Sequence, residues 1–149
     1  AEIARAFGAK VIYYSASGAP AQEGYEQVDF ETLLTQSDII SVHAPLNEHT
    51  EGLINSKAFE KMKSSCIFLN LGRGPIVDEQ ALYNALVRNQ IAAAGLDVLC
   101  KEPMSADNPL LKIKDSKRLL ITPHIAWASV EARTHLMEII HGQVKDFFA

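Results

Sequence analysis

The 149 residues suit one compact domain around a single apolar core. Hydrophobic residues make up 48% and charged residues 21%, a globular composition that excludes a disordered or fibrous chain. With 14 Lys and Arg against 18 Asp and Glu the net charge is −4, so no global attraction to nucleic acid or anionic membrane is expected.

In chain order, Ala1 to Phe7 reads as the end of a helix closed by Gly8, a natural left-handed cap. Its charged pattern (Glu2, Arg5) without a long apolar stretch is not a signal peptide, and no run of about 18 apolar residues occurs, so the expected location is cytoplasmic. Lys10 to Tyr14 is β-branched and aromatic, a strand. Gly18 and Pro20 then break a polar stretch from Ser15 to Gly24. Asp29 caps a short helix carrying Leu33 and Leu34. Asp38 to Val42 is a strand ending at His43-Ala44-Pro45-Leu46, and Asn55 caps a helix through Lys61 that presents Ala58, Phe59 and Met62.

Ile67 to Leu71 is the next strand, with Cys66 beside it as a small core residue. Asp78 caps a helix with Ala81, Leu82, Ala85 and Leu86 at helical spacing. Ile91 to Val98 holds a strand whose small residues, Ala92 to Gly95, would let a helix pack closely above. Lys112, Lys114, Lys117 and Arg118, interrupted by Asp115, read as a solvated loop. Leu119 to Thr122 is the last strand. A final helix from about Ser129 to Phe148 carries the stripe Leu136, Ile140, Val144, Phe147. Cys66 and Cys100 are far apart and belong to no ligand cluster, so neither a disulfide framework nor a metal site is expected.

Five strand candidates alternating with helices or loops predict an α/β fold, a doubly wound parallel sheet of Rossmann type. In such a sheet ligands lie beyond the carboxyl ends of the strands. Three polar groups stand there: Arg73 in Asn70-Leu71-Gly72-Arg73-Gly74-Pro75, Glu102 before Pro103, and His124 in Thr122-Pro123-His124-Ile125. Flanking glycines would let a backbone come close to a ligand while Arg73 offers a planar fork to a carboxylate. An imidazole can give or take a proton near neutrality, and a carboxylate beside it orients it and favours its charged form. Together they describe hydride transfer at a carbinol beside a carboxylate. Singly, each could be an ordinary loop residue.

The ordered set Asn70 to Asp78 (Asn-x-x-Arg-Gly-x-x-Val-Asp), Gly95 to Pro103 (Gly-Leu-Asp-Val then Glu-Pro) and Thr122 to Ile125 (Thr-Pro-His-Ile) resembles the D-isomer-specific 2-hydroxyacid dehydrogenases, over essentially the whole chain. The resemblance implies that Arg73 binds the substrate carboxylate and polarises the C2 oxygen, that His124 is the acid/base, and that Glu102 pairs with it. It implies a nicotinamide cofactor, with Asp97 at its nicotinamide side and Ala44, Leu71, Gly72, Arg73 and the turn from His124 to Trp127 lining the cleft. It also implies a small 2-oxo or 2-hydroxy acid substrate and a homodimer. Trp127, where the family commonly has glycine, is similar to the glycerate dehydrogenase (hydroxypyruvate reductase) subgroup, hence D-glycerate and hydroxypyruvate as candidate substrates. Of the other histidines, His43 is the one that could border the cleft; His49, His135 and His141 read as structural or surface residues.

Two departures stand out. The family's Gly-x-Gly-x-x-Gly turn, which seats a pyrophosphate on a helix N-terminus, would fall just upstream of Ala1, so the chain is read as a partial dinucleotide-binding domain truncated at its N-terminus, poor at binding the dinucleotide and inactive alone. Its final helix would partly return toward a missing substrate domain and leave apolar surface exposed. The acid expected for the adenosine ribose is replaced by Ser15, followed by Ala16 and Ser17. Family frequency then favours NAD and leaves NADP open. Formate dehydrogenases, on the same fold, carry glutamine where Glu102 stands. The alternative from another class is a dinucleotide-sensing, corepressor-like binding module.

Overall fold

The computed structural model describes residues 1–148. Helix α1 (Glu2–Ala6) leads through Gly8, at φ 85°, into strand β1 (Ile12–Tyr13). Strand β1 pairs in parallel with β2 (Glu26–Gln27), a two-residue strand just past the polar stretch, where none was expected. Its residues are poor strand formers, and pairing with β1 extends them. Helix α2 (Phe30–Gln36) follows, then β3 (Ile39–Val42), α3 (Ser56–Lys61) and β4 (Ile67–Asn70). A 3-10 turn at Gly74–Ile76 precedes α4 (Glu79–Val87) and β5 (Ala93–Leu96). A second 3-10 turn at Pro109–Lys112 precedes β6 (Leu119–Ile121), and α5 (Val130–Phe147) ends the chain.

Local chemistry explains the helix starts. Asp29 accepts from Thr32 N at 2.6 Å, Asn55 from Lys57 N and Ala58 N at 3.0 and 3.2 Å, and Asp78 from Gln80 N and Ala81 N at 2.9 Å each. Ser129 does the same for Ala132 N at the start of α5. Each satisfies backbone donors that the first turn leaves unpaired.

Strands β3, β4, β5 and β6 form one parallel sheet in sequence order, with Val42 opposite Asn70 and Asn70 opposite Leu96. Consecutive parallel strands joined by helices bring all their carboxyl ends to one rim. The alternation of side chains sends Ile40, Val42, Phe68, Ala94 and Leu96 to one face, where α2, α3 and α4 cover them. Phe59 of α3 meets Phe68 edge to face, ring centroids 5.5 Å apart, both fully buried.

The opposite face is open: Ile39, Ile67 and Leu120 are 61%, 41% and 62% exposed. No helix among the described residues covers the small residues of β5 there; α1 and α5, the helices left over, bury no residue. The stripe of α5 is accordingly exposed along its length, as are Ile3 of α1 and Phe7 just past it. Among the described residues no helix is long and apolar enough to cross a membrane.

The covered face should carry most of the stability. Phe68→Ala is expected to cost about 3–5 kcal/mol, the usual range for emptying an aromatic core site. Urea unfolding of the two chains measures it.

Candidate active site

The rim is built on β5. Asp97 follows that strand directly, is 3% exposed, and has both carboxylate oxygens occupied. Oδ1 accepts from the Thr122 hydroxyl and from Ile125 N at 2.9 Å; Oδ2 accepts from Ala126 N at 2.8 Å. Burial pushes its pKa up, but those donors outweigh burial and hold the carboxyl below its ordinary value. The segment after β6 is thus tied to the end of β5. Its own peptide also closes: His124 N–H reaches Thr122 O at 3.0 Å around Pro123.

That tie sets His124 against Glu102. Nδ1 of the ring lies 2.8 Å from Glu102 Oε2, both side chains a little over one-third exposed. An ionised carboxylate only accepts, so Nδ1 carries the hydrogen and Nε2 is left free for another partner. Glu102 Oε1 is fixed in turn by Leu99 N at 2.9 Å. The Leu99 amide, and then the imidazole, hold the Glu102 carboxyl below its ordinary value. The pair borders a cavity of about 650 Å³ with Asp97, Leu99, Met104 and Ile121.

Arg73 follows β4, the neighbouring strand. Its loop is pinned by buried Asn70, whose Nδ2 donates to Arg73 O at 3.0 Å and whose Oδ1 accepts from Gly72 N at 3.1 Å. The two glycines serve chain packing. A Cβ at Gly74 would lie 1.9 Å from Leu99 O, and one at Gly72 would lie 3.0 Å from Ala44 O. The ligand approach expected of them gives way, at Gly74, to contact with the Leu99 peptide. Arg73 is exposed, with Nη1 donating to Gly72 O at 2.9 Å. It borders a separate cavity of about 500 Å³ with His43, Ala44, Pro45, Leu71 and Gly72.

The expected residues therefore fall into three places. His124, Glu102 and Asp97 share one cavity. Arg73, Ala44, Leu71, Gly72 and the bordering His43 share the next. Ser15 stands apart, 3.2 Å from Ser17 between hydroxyls, in a cavity of about 520 Å³ between β1 and β3. Trp127 borders none of these cavities; its indole N–H donates to His124 O at 3.0 Å. Thr122, Leu99 and Asn70 hold the site and had no role assigned from sequence. Asn70 could have been singled out, since a polar residue within an apolar run must find partners. Desolvation and then the Glu79 carboxylate push the Cys100 thiol up to about 11.

Residues 1–126 match the family model described as "D-isomer specific 2-hydroxyacid dehydrogenase, NAD binding domain". The chain belongs to that family. It is 45% identical over 148 residues to a hydroxypyruvate reductase of Blautia hydrogenotrophica, covering 98% of this chain and 45% of the relative. It is 42% identical over 149 residues to a glycerate dehydrogenase of Methylorubrum extorquens, covering 100% and 46%. Among solved structures it is similar to an acyclic imino acid reductase in complex with NADPH and D-Arg, with TM-score 0.88 and 38% identity over 99% of this chain and 46% of that one. The chain thus spans less than half the length of these relatives.

The depressed Glu102 carboxyl gives a sign for acid sensitivity. A folded value below the ordinary 4.5 contributes stability that is complete above 4.5 and is lost as pH falls through the folded value. Glu102→Gln removes that contribution. The gap in urea midpoint between the two chains should therefore narrow from about pH 6 to about pH 3; parallel curves would contradict it.

Proposed function

We propose that these residues form one part of an oxidoreductase that interconverts a small 2-oxo acid and its D-2-hydroxy acid with NAD or NADP. The observation that carries this reading is the His124–Glu102 pair. Its Nδ1–H is committed to a carboxylate and its Nε2 is free, at the carboxyl rim of a parallel sheet, with an exposed guanidinium following the strand two positions away.

The nicotinamide end of such a cofactor suits the cavity of Ala44, Leu71 and Gly72, whose walls are small or apolar with a guanidinium at the edge. When bound, it supplies or accepts a hydride at the substrate's C2. Nε2 of His124 gives a proton to the C2 oxygen in reduction and takes it back in oxidation. Glu102 keeps the ring in the Nδ1–H tautomer and stabilises the imidazolium. Arg73 holds the substrate carboxylate through its planar fork and draws charge onto the C2 oxygen. Asp97 acts at the nicotinamide side by way of the segment it holds, and Ser15 stands where an adenosine ribose would lie. With no carboxylate there, NAD is favoured by the family alone.

The relatives' names, hydroxypyruvate reductase and glycerate dehydrogenase, support hydroxypyruvate and D-glycerate as the substrate pair. The partial share of each relative supports reading residues 1–149 as part of a dinucleotide-binding domain, with α5 returning toward a substrate domain that its exposed stripe would contact. A cytoplasmic homodimer belongs to the same proposal, on the family resemblance.

The test is steady-state kinetics of a complete enzyme carrying this sequence, with NADH and NADPH against hydroxypyruvate, glyoxylate and pyruvate. His124→Gln is expected to lower kcat by about 10²–10⁴, the span of general acid–base catalysis. Arg73→Ala should lower kcat/KM by about 10–150-fold, the worth of a charge-assisted contact, mainly by weakening the hold on substrate. Wild-type turnover by the His124 variant would overturn the reading.

A further inference from the structure

His124 has φ 56°, in the left-handed region; Asn89 is the only other non-glycine residue with positive φ among those described. Asn89 lies just past α4, where Asn is a common left-handed cap. His124 has no such reason, so its surroundings must impose the conformation. They do so from several sides. The His124 N–H is held by Thr122 O, the next two amides by the Asp97 carboxylate, and Asp97 N in turn by Asn70 O at 3.0 Å within the sheet frame. The remaining group is the His124 carbonyl, and the indole of Trp127 donates to it at 3.0 Å.

The Trp127 side chain makes one hydrogen bond among the described residues. It is 52% exposed, lies outside the apolar core cluster, and spends its single polar atom on that carbonyl.

We propose that Trp127 is a positioning residue for His124: its indole N–H fastens the His124 carbonyl and, together with Asp97, keeps the backbone in the left-handed state that turns the imidazole to Glu102. A peptide rotating at φ carries Cβ with it, so relaxation to negative φ swings the ring away from Oε2 and frees Nδ1. The proposal rests on the acid/base reading of His124 for its catalytic consequence, but not for its geometry.

The geometry is tested on this chain without any activity. Trp127 is its single tryptophan, so a tryptophan analogue supplied during expression replaces that side chain alone. Ring 15N shifts of His124 report the ratio of Nδ1–H to Nε2–H tautomers. Trp127→Phe, and separately the sulfur isostere benzothienylalanine, which lacks the N–H, should each lower the ratio by about fivefold, the worth of one ordinary hydrogen bond. 7-Azatryptophan, which keeps the N–H, should leave it unchanged. Amide exchange in β3 to β6 should be the same in all. An unchanged ratio in both N–H-lacking chains would overturn the proposal, as would an equal fall with 7-azatryptophan. In a complete enzyme Trp127→Phe should lower kcat by about the same fivefold with KM unchanged. A shift in tautomer ratio without loss of kcat, alongside an active His124→Gln enzyme, would sink the catalytic reading and leave the positioning intact.

Discussion

A carboxylate taken out of water at the end of a central strand must be answered by donors, and Asp97 is answered almost wholly by one neighbour, the segment after β6. Leaving any of its oxygens unmet would cost more than the bond itself returns, because a buried charge cannot fall back on solvent. The segment 122–126 therefore follows the strand end wherever the sheet puts it. Glu102 is five residues beyond Asp97 on the same excursion, and its carboxylate is steadied by Leu99 N. One solvation requirement thus sets both members of the His124–Glu102 pair, though they are 22 residues apart.

The guanidinium is coupled to that pair through the same stretch of chain. Gly74 lies against the Leu99 peptide so closely that no side chain fits, while the Leu99 amide is the donor that holds Glu102. Any displacement of the loop carrying Arg73 presses on Leu99 and hence on the carboxylate. Asn70 locks the other side, bonding Gly72 and Arg73 with the two ends of one buried amide. Cα-to-peptide contact and side-chain amide together form a rigid joint between the ends of β4 and β5, without an ion pair between Arg73 and Glu102.

Signals that act locally were readable in the sequence. Asp29, Asn55 and Asp78 announce helix starts because a short side-chain oxygen reaches only its own first turn, and each does so in the structure. Strands β3 and β4 were legible from apolar, β-branched runs, β5 from a stretch of small apolar residues and β6 from Leu119-Leu120-Ile121. Strand β2 was not, since Glu26 and Gln27 are extended only by pairing with Tyr13 and Ile12. The sidedness of the sheet was not legible either: Ala93 and Gly95 invite a close helix, but alternation cannot say whether a helix arrives. At the site, Arg73, Glu102 and His124 were each bland alone and gained meaning as an ordered set resembling a family. The resemblance gave Asp97 its place at the nicotinamide side, while its ties to Thr122, Ile125 and Ala126 depend on the folded segment after β6 and were not legible in the sequence.

Strand spacing also sets how far apart Arg73 and His124 stand. Parallel neighbours are about 4.8 Å apart, so the strands leading to Arg73 and His124, separated by β5, stand about 10 Å apart at the rim. Neither side chain touches the other, and they border adjacent cavities rather than one. A molecule that engages both must bridge the end of β5, and the guanidinium on its flexible stem can extend inward to narrow that gap.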